Sequence, residues 1–278
     1  MGKYSKTNTR IVKEKITIIV TTKNEENNIE IFWRSIKNQT YKDTECITID
    51  NNSHDKTKEI AKKYSKVYNI GPERSAQRNF GAIKSKGKYL IFLDADMELS
   101  NNVINECVKE FKKNIAVIIP EKSVGEGYWQ KVKVLERNCY INDPDMELPR
   151  AYRKDIFLKL KGFDEKITGQ EIEDLYNRAK NYGKIGRIKS QIIHHELLNS
   201  LWLIIKKKYY YCLTLNRYMK KNKKLSKKQA KIFLRPAYLR NWKEFLKKPH
   251  ITLGFFIMRF GEGIAALYGL YKSKKLNS

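Results

Sequence analysis

The stretch GPERSAQRNFGAIKSKGKYLIFLDAD, residues 71–96, decides the fold. Its end, residues 88–93, is an apolar run suited to a buried strand, and it leads straight into Asp94-Ala95-Asp96. Its beginning is a Gly71-Pro72 turn followed by a predicted helix over 74–84. That helix is slim at Ala76, Asn79, Gly81 and Ala82 and basic at Arg74 and Arg78. Two carboxylates one residue apart at a strand end can share a divalent cation whose other ligands are phosphate oxygens and water. The same spacing also occurs in ordinary acidic turns. The basic helix gives it weight, because Arg74, Arg78, Lys84, Lys86 and Lys88 beside such a turn would make a diphosphate site. Taken alone, those cations read as a solvated helix face.

Outward from this stretch, strand and helix signals alternate. Ile16–Thr22 is a β-branched run for a buried parallel strand, and 27–37 has helical spacing through Ile29, Phe32, Trp33 and Ile36. A second strand over 45–50, a helix over 56–64 and a third strand over 67–70 follow. This βαβαβ order predicts an α/β fold: a mostly parallel, Rossmann-like sheet with helices on both faces and ligands at the carboxyl ends of the strands. Two such ends are polar, Thr21-Thr22-Lys23-Asn24-Glu25 and Asp50-Asn51-Asn52-Ser53-His54-Asp55. Such groups can hydrogen-bond a nucleobase and ribose, and they also serve turns and N-caps, as expected of Asp55. Downstream, the pattern predicts a helix near 101–112, a strand over 116–120 and long irregular connections over 121–150. Helices near 154–160 and 170–181 and a strand near 188–194 complete this part.

Four segments in this order and spacing resemble the family 2 glycosyltransferases of the GT-A fold. They are TTKNEE (21–26), TIDNNSHDKT (48–57), ERSAQRNFGAIKSKGKYLIFLDAD (73–96) and GFDEKITGQEIEDL (162–175), and the resemblance covers residues 14 to about 198. It implies a nucleotide-sugar donor (a UDP- or GDP-sugar), a Mg2+ or Mn2+ ion, and transfer with inversion at the anomeric carbon. By position it places Thr21, Lys23, Glu25, Asp50 and Asn51 at the nucleoside, and Arg74, Arg78 and Asn79 near the donor. Asp94, Ala95 and Asp96 fall on the motif that meets ribose and metal. Lys23 departs from the pattern, since an aromatic residue often stacks on the base there.

The resemblance also implies a catalytic base in an E-D-x-D-L motif, where this chain has Glu171-Ile172-Glu173-Asp174-Leu175. Ile172 thus occupies the position of the base. Three readings stay open: Glu171 serves instead, a local shift brings Glu173 or Asp174 into place, or an already ionised phosphate acceptor needs no base. Glu171 is preferred, and a helix starting near 170 would put Glu171 and Asp174 on one face. These acids also simply favour a helix N-terminus. His194, of the pair His194-His195, matches the histidine that completes the metal site in many GT-A enzymes, and it is equally compatible with a plain strand end.

Charge separates the chain into two parts. There are 57 Lys+Arg against 30 Asp+Glu, a net of +27. Residues 1–198 hold 37 basic and 28 acidic side chains, whereas 199–278 hold 20 basic side chains and two acids, Glu244 and Glu262. The expected division is therefore a catalytic domain over 1–198 and a basic, aromatic-rich helical region over 199–278. In the latter, Lys206-Lys207-Lys208 precedes Tyr209-Tyr210-Tyr211, and Leu234, Tyr238, Trp242 and Phe245 form an apolar stripe flanked by Lys231 and Arg235. Residues 251–270 approach a transmembrane segment but carry Arg259 and Glu262, spaced to pair on a helix. Basic side chains with interfacial aromatics suit an anionic membrane surface. The expectation is a peripheral or monotopic protein at the cytoplasmic face, acting on a lipid-linked glycan acceptor.

Direct transfer to a polyprenyl phosphate is the alternative. A non-catalytic RNA- or lipid-binding protein on the same fold is the rival from another class. No recognised nucleic-acid module is visible, and no nucleic-acid partner is expected. Cys46, Cys107, Cys139 and Cys212 have no metal or disulfide spacing and read as reduced thiols. The first fifteen residues have no apolar core, so no signal peptide is expected.

Overall fold

The computed structural model describes residues 14–222 and 235–275. The expectations that rest on the N-terminal stretch before residue 14, and on Lys231 and Leu234, lie outside the described residues. The sheet is built as the alternating pattern demands. Strands β1 (Ile16–Thr22), β2 (Thr44–Asp50), β3 (Lys66–Asn69) and β4 (Tyr89–Asp94) lie in the order β3-β2-β1-β4, all parallel. Every residue of β1 is buried, which explains why it reads as a continuous apolar run and not an alternating one. Register then fixes the chemistry. Thr22 pairs with Asp50 and Thr21 with Asp94, so the polar ends of three neighbouring strands finish at one edge.

Helices cover both faces. Helices α1 (Ile29–Lys37), α2 (Thr57–Lys62) and α4 (Val103–Glu110) bury Phe32, Trp33, Ala61 and Ile104 against one face. Helices α3 (Arg74–Lys84), α6 (Lys154–Lys159) and α7 (Glu171–Ala179) bury Ala82, Phe157 and Leu175 against the other. Helix α3 lies unusually close to the sheet. A Cβ at Gly81 would stand 2.6 Å from Ile19 Cγ2. That closeness brings Arg78, one turn earlier, to the sheet edge.

The remaining strands are less regular than the sequence suggests. Residues 121–150 are not merely long connections: they contain β7 (Glu121–Val124), α5 (Tyr128–Asn138) and the start of β8 (Pro149–Arg153). The strand expected near 188–194 is instead two short ones, β9 (Ile185–Arg187) and β10 (Ile192–His195). Strand β8 pairs antiparallel with β4 and with β6 (Ala116–Ile118), and β6 pairs with β9 to complete a seven-stranded sheet. Strand β10 stands between β7 and β5 (Met97–Leu99) in a second, three-stranded sheet. These strands are three to five residues long and partly polar. Strand β6 and part of β10 match the strands expected over 116–120 and near 188–194, whereas β5, β7, β8 and β9 are strands by virtue of distant pairing partners, which local pattern does not reveal.

Beyond residue 200 the chain is helical. Ser200 caps α8 (Leu201–Cys212), its hydroxyl accepting from the Leu203 N–H, and α9 (Leu215–Lys221) follows. Helices α10 (Pro236–Arg240) and α11 (Trp242–Lys247) lead into α12 (Pro249–Lys275), 27 residues long. Helix α12 buries Ile251, Phe255 and Met258 with Ile204 of α8 and Val132 of α5. Arg259 and Glu262 pair, as their spacing predicts, and both are buried. Arg259 also binds Glu136 of α5 at 2.8 Å, and Glu262 lies 3.3 Å from Lys133. With its charged pair turned inward, α12 presents a different surface outward. Every exposed residue from 253 to 271 is Leu, Phe, Ile or Tyr.

Candidate active site

The site lies where β1, β2 and β4 end. Asp94, the last residue of β4, is bound by the Arg78 guanidinium at 2.8 Å, faces the Thr21 hydroxyl at 3.4 Å, and lies 3.6 Å from Arg150 Nη1. Burial alone would raise its carboxyl, but Arg78, Arg150 and Arg74 outweigh burial and hold it well below the usual carboxylate range. Ala95 is buried behind it. Asp96 Oδ2 lies 3.3 Å from His194 Nε2, while its Oδ1 is buried and has no hydrogen-bond partner. His194 bridges onward to Glu121 at 3.2 Å and Arg137 at 3.0 Å. Burial would lower its imidazole, yet Asp96 and Glu121 push it up to about 9. Strand pairing sets this contact, because His194 stands opposite Met97, the residue after Asp96, in the β5–β10 register.

Arg78 is the hinge of the arrangement. It is 1% exposed, lies over the Phe163 ring, and bonds Asp94 with Nη2 and Glu171, at 3.1 Å, with Nη1. It thereby ties the end of β4 to the first residue of α7. Glu171 Oε1 takes that bond, and its buried Oε2 has no hydrogen-bond partner. Buried polar atoms are nearly always satisfied, and the unpartnered oxygens of Asp96 and Glu171 leave each carboxylate with an acceptor free for a ligand.

The other sequence-predicted residues divide between the cleft and its frame. Glu25 faces the cluster. Burial, opposed by a hydrogen bond from Asn28 and reinforced by the charges of Asp96 and Asp94, raises its carboxyl to about 7. Lys23 is exposed at the rim. Arg74 points its guanidinium at the Tyr211 hydroxyl of α8, with its charge felt by Asp94 and Glu171.

Asp50, Asn51 and Asn79 act as braces. Asp50 is fully buried and accepts from the Thr22 hydroxyl at 2.8 Å and from Ser53 N and Oγ at 2.7 and 2.6 Å. Asn51 donates to the Pro72 carbonyl at 2.9 Å, and Asn79 holds the 162–165 turn by bonds to Phe163 N and O. Asp174 stands apart from Glu171. It is buried against Arg178, 2.8 Å, and Lys221, 2.8 Å, and braces α7 against α9. The i,i+4 spacing to Arg178 captures it. Ile172, at the expected base position, packs partly on the core and lines a cavity.

Sequence reasoning missed Arg150 and Glu121. Arg150 lies in β8, ion-pairs with Glu121 and reaches Asp94. The one available signal was a charged residue inside the apolar run Leu148–Tyr152. Two cavities flank the carboxylates. One, of about 460 Å³, is lined by Asn28, Ala95, Asp96 and His195. The other, of about 390 Å³, is lined by Glu121, Arg150, Gly169 and Ile172 together with residues of the C-terminal helices.

Comparison with known proteins agrees with this architecture. The chain is 27% identical over 179 residues to the GalNAc(5)-diNAcBac-PP-undecaprenol beta-1,3-glucosyltransferase of Campylobacter jejuni, a match covering 56% of this chain and 57% of that enzyme. It thus spans less than two-thirds of that relative's length. Its fold is shared with S. aureus TarS 1-349 crystallised with UDP, at TM-score 0.55 and 16% identity over 94% of this chain and 91% of that one. The mannosyltransferase PcManGT of Pyrobaculum calidifontis, solved with GDP-Man and Mn2+, matches at TM-score 0.61 and 15% identity over 93% of this chain and 88% of that one. The family model described as Glycosyl transferase family 2 matches residues 17–162, more than half of the sequence. The chain therefore belongs to glycosyl transferase family 2.

Proposed function

We propose that this protein is a metal-dependent, inverting glycosyltransferase that moves a sugar from a UDP- or GDP-sugar to a hydroxyl of a lipid-linked glycan. One observation carries the reading: the strand register sets Asp94 beside Thr21 at one edge, Glu25 feels the charges of Asp94 and Asp96, and Arg78 ties Glu171 to the same place. Asp94 and Asp96, with His194, would hold Mg2+ or Mn2+. The orphaned Asp96 oxygen and this carboxylate–imidazole set fit such an ion. Among the described residues no three His, Cys, Asp or Glu converge as a preformed ligand set, so donor phosphate and water would supply the rest. When bound, the ion neutralises the charge developing on the departing nucleoside diphosphate.

The chain's own groups do the rest. Thr21, Lys23 and Glu25 contact the donor at the strand ends, with Asp50 and Asn51 shaping the loop beneath it. Arg74 adds positive charge. Glu171, oriented by Arg78 through Oε1, takes the proton of the acceptor hydroxyl on Oε2. Direct transfer to a polyprenyl phosphate is the second reading, favoured by Ile172 in the cavity wall, because an ionised phosphate needs no base. Glu171→Gln separates the two: it abolishes transfer to a hydroxyl and spares transfer to a phosphate.

The lipid-linked acceptor is supported by the Campylobacter relative, whose name places its acceptor on undecaprenyl diphosphate, and by the surface of residues 199–278. Helix α12 is long and apolar enough to cross a membrane, yet one side of it is buried on α5 and α8. Its uncharged outer stripe suits lying in the interface, with Lys272, Lys274 and Lys275 at its end facing anionic headgroups on the cytoplasmic side. The test is a panel of nucleotide sugars with Mn2+, scored for transfer to lipid-linked glycans in anionic vesicles, with the product anomer read by NMR. Transfer with inversion supports the proposal. Donor turnover with no dependence on a lipid acceptor or vesicle would remove the acceptor assignment.

A further inference from the structure

The cavity on the Glu171 side has walls of opposite character. Ile141, Leu148, Ile172, Leu198 and Ile204 make one wall apolar. Seven cations also reach it, and four of them are matched to carboxylates: Lys133 and Arg259 to Glu136 and Glu262, Arg137 to Glu196, and Arg150 to Glu121. The other three, Lys207, Lys208 and Arg235, make no ion pair with a carboxylate among the described residues. Arg235 hydrogen-bonds the Tyr140 hydroxyl at 3.0 Å and Met146 Sδ at 3.3 Å, and Lys207 lies 5.9 Å from the Tyr211 ring. Glu173 feels the charges of Arg235 and Lys208 without a direct ion pair, and burial raises its carboxyl above the ordinary value, which weakens it as their counter-charge. Positive charge without a direct ion-pair partner beside an apolar chamber of about 390 Å³ fits an amphiphilic anion. The chamber is bounded on one side by Gly169 and Ile172, at the base of α7, and on the other by α8 and α12, the helix with the apolar outer stripe.

We propose that this chamber is the acceptor site, and that it recognises an isoprenoid-type phosphate or diphosphate. Lys207, Lys208 and Arg235 hold the phosphate and the aliphatic wall takes the first part of the tail. The anion is thereby held on the membrane side of Glu171, and the group to be glycosylated extends toward Oε2. Tyr211 links the two halves, since its ring lies beside Lys207 and its hydroxyl accepts from Arg74. This inference rests on the function proposed above and names the chemical class of its acceptor.

The probe is farnesyl diphosphate, titrated calorimetrically into the full chain already saturated with Mn2+ and whichever of UDP and GDP it binds, so that the donor site cannot take it. The wild-type chain should bind it at least tenfold more tightly than it binds farnesol or inorganic pyrophosphate. The double variant Lys207→Ala/Lys208→Ala should lose at least tenfold in affinity, and Arg235→Gln should lose several-fold, with melting temperatures recorded for each. Pyrophosphate binding as tightly as the farnesyl ester would overturn the amphiphile assignment. Equal binding of farnesyl diphosphate by wild type and double variant would overturn the cavity. So would a double variant that loses only its retention on phosphatidylglycerol vesicles, because the lysines would then serve the membrane surface. Failure of both UDP and GDP to bind would strike the donor reading, whereas nucleotide binding without a farnesyl diphosphate response strikes this proposal alone.

Discussion

Replacing Arg78 by methionine removes the group that ties Asp94, at the end of β4, to Glu171, at the start of α7. The side chain is 1% exposed and makes two ion pairs, 2.8 Å to Asp94 and 3.1 Å to Glu171. Methionine fills much of the same volume, so the cost is electrostatic: two buried carboxylates lose their shared counter-ion. Breaking a buried pair in this way costs ~3–5 kcal/mol. At ~2–4 °C of melting temperature per kcal/mol for a domain of this size, the loss is roughly 6–20 °C. The sign with pH is fixed. Asp94 is held well below its ordinary value, so its contribution is present at neutral pH and disappears as pH falls through the carboxylate range. The Arg78→Met penalty is therefore fully present at pH 7 and shrinks as pH falls below about 4, the ordinary carboxylate value. Adding Glu171→Gln removes one of the stranded charges, so the double variant should recover more than 1 kcal/mol relative to additivity. Urea unfolding of the four proteins at pH 7 and pH 3 measures each term. A penalty under 1 kcal/mol, or strict additivity with Glu171→Gln, would refute the claim that Arg78 couples the two carboxylates.

Glu25 gives a second pH signature. Its folded carboxyl, raised to about 7 from an ordinary 4.5, holds its proton in a window where the unfolded chain has lost it. Stability should therefore fall as pH rises from about 4.5 to about 7 and level off above, and Glu25→Gln should flatten that slope in chelator-treated protein. Gly169 sits at φ +87°, and a Cβ there would meet Tyr211 Cγ at 2.6 Å. Gly169→Ala should cost about 2 kcal/mol by urea unfolding and lower turnover by displacing the segment that leads into Glu171.

How much of this was legible in the sequence depends on what each element needs. Strand β1 and helix α3 were readable because local composition suffices: a β-branched run buried on both faces, and small residues that let a helix approach the sheet. Strand β7 was not, since Glu121–Val124 is a strand only by pairing with β10, and β10 itself was legible only as part of a longer strand near 188–194. The site shows the same split. Asp94 and Asp96 could be placed from the strand that ends in them. The role of Arg78 as a bridge depends on Glu171, 93 positions away, and the involvement of Arg150 on a strand pairing the sequence does not announce. The spacing of Asp174 put it on the face of Glu171, but Arg178 and Lys221 compete for its carboxylate and win. The charge surplus of residues 199–278 was plain from composition. That Arg259 and Glu262 point inward, leaving an uncharged stripe outside, emerges only from packing on Glu136 and Lys133.

The central claim is that Asp94-Ala95-Asp96 holds a nucleoside diphosphate through a divalent cation. Calorimetric titration of UDP and GDP into wild-type protein and into Asp96→Asn, with Mn2+ and then with chelator, tests it most directly. The account predicts binding of at least one nucleotide with Mn2+, loss with chelator, and at least a tenfold loss in Asp96→Asn at an unchanged melting temperature. Nucleotide binding that ignores both the chelator and the substitution, or no binding of either nucleotide with Mn2+ present, would contradict it.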